Sequence, residues 1–243
     1  TKNIGLDFGF FNNKLTGAMN YYYNQTEELL ITKALPPSAG LNNPILNVGK
    51  IRNSGVEVEI NWADSKGGFD YNIGMNFSTT KNKVVELADK GQVLYGEGLK
   101  YGTEHFPTQT RVGKPIGAFY LYKTNGLFQS NEEARQYVNA DGDEYQPFAD
   151  AGDIRYVDVN GDGYIDDDDK VYCGSGIPTL EVNLNFSAGY KGFDLSVVLG
   201  SAWGHKIYNG NKYFYEGMNS GSNFLTSSLN VWTCLLYTSD AAD

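Results

Sequence analysis

The chain has 243 residues, with 29 acidic against 19 basic side chains, a formal net charge of −10, and an aromatic content of 14% in which Tyr alone numbers 18. So acidic a balance excludes a nucleic-acid binder, which needs a basic face to displace counterions. Only His105 and His205 occur, far apart, and no phosphate-binding loop, zinc-protease or serine-hydrolase signature is present, so no enzymatic activity is expected.

In chain order, the first pattern is "NIGLDFGF", which puts Ile4, Leu6, Phe8 and Phe10 on one face and Gly5, Asp7 and Gly9 on the other. Strict period-two alternation is a strand signal. A turn at "NN" (12–13) precedes a second strand over about 14–24. "GVEVEINW" then sets Val56, Val58, Ile60 and Trp62 against Glu57, Glu59 and Asn61. After "ADSKGG" (63–68), "FDYNIGMNFS" sets Phe69, Tyr71, Ile73, Met75 and Phe77 against Asp70, Asn72, Gly74 and Asn76. Much later "LEVNLNFSAGY" and "FDLSVVLG", joined by "KG" (191–192), repeat the device, with Glu181, Asn183 and Asn185 on the polar side. Six strands are expected, at about 4–12, 14–24, 54–62, 69–79, 179–190 and 193–203.

No apolar run approaches the roughly 18 residues of a spanning helix. The strands are nonetheless about the length a tilted membrane-spanning strand needs, where soluble strands average about 5–6 residues. Aromatics also flank the short turns, Trp62 and Phe69 around one, Tyr190 and Phe193 around another. Rings so placed suit an interfacial girdle. The predicted fold is all-β, a partial antiparallel transmembrane β-barrel of about six spanning strands. Barrel strands alternate up and down, with short turns on the periplasmic side and long loops outside. If the three short turns share one side, everything over about 80–177 stays extracellular. The strand-like "IGAFYLYKTNGLF" (116–128) then belongs to a structured external loop, followed by a short helix that Ser130 and Glu133 open as a capping box.

Within that loop "DVNGDGYIDDDD" (158–169) matches the spacing of an EF-hand-like calcium loop. Asp158, Asn160 and Asp162 take the first, third and fifth positions, Gly163 the sharp turn, Tyr164 the backbone-carbonyl position, Asp166 the ninth and Asp169 the last. These are hard oxygen donors, which suit Ca²⁺. Magnesium and an empty acidic loop are the alternatives. Asp at the closing position, where Glu is usual, and extended flanks point to a structural site, not a switch.

Cys173 and Cys234 fit neither a disulfide framework nor a zinc site. The chain begins mid-pattern at Thr1, without Met or leader, and a fragment of a longer protein is expected. At the other end "CLLYTSDAAD" (234–243) breaks the alternation and reads as a non-native sequencing-adapter tail, leaving 1–233 as barrel.

These stretches together, with "NVGKIRNSGVEVEINW" (47–62), "RVGKPIGAFYLYKTNGLFQ" (111–129), "AGDIRYVDVNGDGYIDDDD" (151–169) and "GYKGFDLSVVLGSAWGHKIYN" (189–209), resemble the C-terminal barrel region of SusC/RagA-type TonB-dependent outer-membrane transporters. The resemblance implies a large plugged barrel in the Gram-negative outer membrane that imports oligosaccharides or peptides. It also implies a TonB complex that supplies energy through a missing N-terminal part, and a SusD-like surface lipoprotein that acts as lid. The alternative reading is a soluble extracellular calcium-binding β-module that binds carbohydrate. The two differ in whether the apolar faces meet lipid or each other.

Overall fold

The computed structural model describes residues 1–32, 44–96, 99–101, 103–217, 223–230 and 232. The tail at 234–243, with Cys234, lies outside the described residues. Two compact units are present, one of Thr1–Gly96, Thr108–Ala118 and Gly174–Ile207, the other of Glu97–Pro107, Phe119–Cys173 and Tyr208–Asp243. No described helix is long and apolar enough to cross a membrane, which says nothing of strands.

The first unit is built on an antiparallel sheet. In sequence order β1 (Lys2–Phe10), β2 (Leu15–Thr32), β3 (Ile45–Lys66) and β4 (Phe69–Thr79) lie side by side. β5 (Lys81–Glu86) also pairs with β3, while β6 (Leu180–Tyr190) pairs with β4 and β7 (Phe193–Trp203) with β6. The six expected strands are all there. Their extents differ, because β2 and β3 run for 18 and 22 residues. The extra lengths pass through the polar run Asn24–Glu28, where backbone pairing persists without an apolar face, across a register shift near Glu28, whose φ is 59. β3 keeps one register from Glu57 opposite Ser78 on β4 to Ser54 opposite Lys81 on β5. β4 and β5 are thus one strand broken at Thr80, whose N–H donates to the Thr179 carbonyl. The sheet therefore continues to Glu86 and does not stop near residue 80.

One short turn is tighter than expected, and another falls at 191–192 as expected. Gly67 and Gly68 have φ of 62 and 76, and Lys191 and Gly192 of 49 and 86. Two residues at positive φ make a turn whose twist matches that of the flanking strands, so β3 runs through Lys66 and the turn shrinks from 63–68 to two glycines. The first turn is wider than "NN": Phe11, Asn12 and Asn13 all have positive φ, and Lys14 N–H closes it onto the Phe11 carbonyl at 3.2 Å.

The register aligns the faces. On one, Phe10, Leu15, Trp62, Ile73, Phe186 and Val197 form a continuous row across the six strands. Parallel rows carry Leu6, Met19 and Val58, and end on Trp203 at one extreme and on Phe69, Tyr190 and Phe193 at the other. Ile4, Leu6, Phe10, Leu195 and Leu199 are each more than half exposed, at 74%, 65%, 55%, 57% and 57%. Along β4 this face is about 34 Å long, or about 25 Å tall at a tilt of about 40°. That is the height of a lipid-facing belt. The buried apolar cluster of this unit is Ile31, Val84 and Leu87, packed with Ile51 and Leu94; Gln109, Ala118 and Ser175 are buried separately.

The second unit has a small buried apolar cluster of its own, although Phe148 and Leu229 stand exposed. Phe128, Ala134 and Ala149 form its core with Tyr137. α1 (Asn131–Gln136) begins where Ser130 accepts the Glu133 N–H. Glu133 reaches back to the Gln129 N–H at 2.7 Å, one residue before the expected partner of a capping box. Residues 116–128 contribute the short strands Ala118–Tyr122 and Thr124–Leu127, which lie outside the large sheet; the second pairs with Ile154–Tyr156.

Candidate functional site

Two features carry chemistry: the polar face of the sheet and the acidic loop. On the polar face the register places Asp7, Ala18, Glu59, Asn76 and Asn183 in one row. The next row holds Asn20, Glu57, Ser78 and Glu181. Carboxylates and amides thus stand within two neighbouring levels, and the row beneath is neutral, with Thr16, Asn61, Gly74 and Asn185. Acidity returns near the short turns, where Ser65, Asp70, Gly189 and Asp194 share a row. There a shallow cavity of about 740 Å³ is lined by Ser65, Asp70, Asn72, Ser187, Gly189 and Asp194. The surface is rich in hydrogen-bonding groups and carries no nucleophile–base pair. Glu57 and Glu59 stand in adjacent rows on this face, a spacing repeated at many positions of a sheet.

The acidic loop folds around its own backbone. Gly163 turns at φ 93, in the left-handed region that glycine enters at no steric cost. Its N–H donates to Asp158 Oδ2 at 2.9 Å, while Gly161 N–H donates to Asp158 Oδ1 at 2.6 Å. Asn160 Oδ1 accepts from Asp162 N–H and Asp162 Oδ1 from Tyr164 N–H, at 2.8 and 2.9 Å. Asp166 caps the short 3-10 turn Asp167–Asp169 by accepting the Asp168 N–H. Tyr164 points its ring outward and is 66% exposed.

Asp169 behaves differently from its neighbours. It is fully buried, and its two oxygens accept the N–H groups of Val159, Asn160 and Asp166 at 2.7, 3.3 and 2.8 Å. Burial pushes its carboxyl up, but these three donors outweigh it and hold Asp169 below the usual carboxylate range. Asp167, by contrast, is drawn to the rim by Lys170 at 2.6 Å and by the Tyr122 hydroxyl at 3.1 Å. The four adjacent aspartates are thereby separated into one buried acceptor, one cap, one ion pair and one exposed group.

Among the described residues no three His, Cys, Asp or Glu side chains converge where a single ion would touch them all. The physical reason is that Asp158, Asp162, Asp166 and Asp169 are each turned onto backbone N–H groups and Asp167 onto Lys170 and Tyr122. The donor set still fits a hard cation in kind, since an oxygen that accepts one hydrogen bond keeps a second lone pair.

A second loop, "NADGDE" (139–144), braces the first and escaped the reading of the sequence. Asn139 accepts the N–H groups of Asp141 and Asp143 and donates through Nδ2 to the Gly163 carbonyl at 3.1 Å. Its run of Asx residues around Gly142 was the available signal.

Comparison with known proteins places these features. Residues 1–232 match the family model described as TonB dependent receptor-like, beta-barrel. The TonB-dependent receptor P3 of Formosa agariphila is 29% identical over 95% of this chain and 22% of its own length. The TonB-dependent receptor SusC of Bacteroides thetaiotaomicron is 26% identical over 94% of this chain and 21% of its own. A solved structure of the RagAB peptide transporter superposes with a TM-score of 0.67 at 22% identity, over 95% of this chain and 24% of that one. This chain spans about a fifth of the length of the curated relatives it matches.

Proposed function

We propose, from the premise that this chain belongs to the TonB-dependent receptor-like β-barrel family, that it forms part of the wall of an active importer of oligosaccharides or peptides. The chain is a partial all-β barrel of the Gram-negative outer membrane. The observation that carries the proposal is the two-faced sheet: an exposed apolar belt about 25 Å tall backs onto rows of carboxylates and amides. The polar face lines the lumen, where Glu57, Glu59, Asn76 and Glu181 offer hydrogen bonds to a hydrated solute in transit. Segments beyond these residues couple the barrel to TonB, and a SusD-like lipoprotein closes it from outside. The second unit is the structured extracellular part. The soluble β-module is set aside, because it would hide Ile4, Leu6 and Leu195 between two sheets, where here they are exposed.

Uptake of labelled maltooligosaccharides and of labelled oligopeptides by cells expressing the intact receptor tests the reading. One class should accumulate, and deletion of tonB should abolish it. Absence of uptake of both, or uptake indifferent to TonB, overturns the reading.

The acidic loop supports a second proposal, that Ca²⁺ binds there through Asp158, Asn160, Asp162, the Tyr164 carbonyl and Asp166, with Asp169 closing the loop. Bound Ca²⁺ would neutralise the crowded aspartates and tie the loop ends together. Millimolar Ca²⁺ should raise the melting temperature of the intact receptor, and Asp158→Asn with Asp162→Asn should remove the shift. No shift in the unaltered receptor sinks the proposal.

A further inference from the structure

The short-turn end of the sheet sorts its charges by face. Lys66, Phe69, Tyr190 and Phe193 form one row on the apolar side, the last before the turns. Asp70 and Asp194 follow Phe69 and Phe193 in sequence, so they fall on the opposite, polar side. Lys191 occupies the turn itself, and its ammonium stands 5.1 Å from the centroid of the Tyr190 ring. Both lysines are exposed, and among the described residues no carboxylate lies within ion-pair distance of either. The third lysine of this edge, Lys14, is already matched by Asp64 at 2.7 Å.

What results is an aromatic shelf with Lys66 on one flank and Lys191 over Tyr190, neither of them ion-paired, though Asp64, two residues along β3, is near enough to feel the Lys66 charge. The Phe69 and Tyr190 rings lie 6.3 Å apart, and Phe193 is 81% exposed. Two strand spacings separate the backbone of Lys66 from that of Tyr190, about 10 Å. Aromatic rings prefer the headgroup level of a bilayer, and lysines beside them reach the phosphates. A zwitterionic headgroup would bring its own ammonium against these two. An anionic one, without an ammonium, brings only attraction.

We propose that Lys66 and Lys191 form a binding site for the headgroup of an anionic glycerophospholipid, with acyl chains laid over Phe69, Tyr190 and Phe193. The site lies in the periplasmic leaflet, where the short turns of such barrels emerge. The inference rests on the reading that places the apolar face against lipid, and adds a headgroup preference at one position.

The test is native mass spectrometry of the intact receptor, released from nanodiscs of equal phosphatidylglycerol and phosphatidylethanolamine. Phosphatidylglycerol should be enriched among retained lipids, and the enrichment should fall about fivefold for each lysine removed in Lys66→Gln and Lys191→Gln. Lys81→Gln with Lys83→Gln, on β5, should leave it unchanged. Heat-modifiable migration on gels checks that each variant is folded. Equal retention of the two lipids, enrichment that survives in the Lys66→Gln, Lys191→Gln double variant, or its erasure by inorganic phosphate overturns the proposal. Failure to retain any lipid would instead strike at the lipid-facing assignment itself.

Discussion

In the sheet, Ile4, Leu6, Phe10 and Leu195 stand more than half exposed. In the unit that includes Phe119–Cys173, Phe128 and Ala134 are fully buried, and the Tyr137 ring packs tilted against Phe128 while its hydroxyl donates to the Tyr156 carbonyl at 2.7 Å. Both regions are rich in aromatics. The difference lies in who supplies the second layer: lipid for the sheet, the unit's own side chains for the other. Aromatic content thus says little about where a core sits, and the partner of each apolar face says most. The polar groups divide in the same way. On the sheet they stand in open rows, whereas around the acidic loop nearly every carboxylate is bonded to a backbone N–H or a cation.

The contrast makes its largest prediction at Phe128. Phe128→Ala should destabilise the second unit by about 3–5 kcal/mol, since a buried ring leaves a cavity that neighbours fill only partly. Hydrogen exchange on the intact receptor should show the loss in residues 119–173 while β3 and β4 stay protected. Equal loss in both regions would mean that the two are not separate in stability.

The sheet breaks by the opposite kind of change. Met75→Arg, near mid-height on the apolar face, should cost about 2–4 kcal/mol of folding into lipid vesicles, because lipid cannot solvate the guanidinium. Asn76→Arg, one residue on and facing the other way, should cost far less. Similar costs at the two positions would refute the assignment of faces.

The smallest effect concerns alkaline pH. Burial, together with nearby carboxylates such as Asp167 beside Tyr122, raises the phenols of Tyr122, Tyr137, Tyr145 and Tyr156. Raised folded values favour the neutral phenol, so this stability is complete below the unfolded value of about 10 and is lost as pH rises through the folded values. Above that point the second unit should lose exchange protection before the sheet does. Simultaneous loss would remove the distinction.

Much of the sheet was legible because a two-residue period writes its faces directly into the order of residues. "FDYNIGMNFS" and "LEVNLNFSAGY" fixed both the strands and the direction each side chain takes. The same period was silent where polar residues continue a strand, so the length of β2 and β3 and the extension of β4 into β5 were hidden. Backbone pairing and contacts between distant side chains hold those stretches, such as Ile31, Ile51 and Val84 packed together and Asn82 donating to Asn53. In the acidic loop, spacing revealed Asp158, Asn160 and Asp162 and the turn at Gly163. It set Asp169 at the closing position but gave no sign that this carboxylate is buried, since burial depends on what the chain folds over it.

By itself, then, the sequence determined which residues face together along each strand, because alternation is a local property of the extended backbone. Only the tertiary structure decided which rows form across strands, because register is a relation between distant segments. It brought Lys66 into line with Phe69, Tyr190 and Phe193, and Asn139 under the turn at Gly163, juxtapositions between segments that no local spacing encodes.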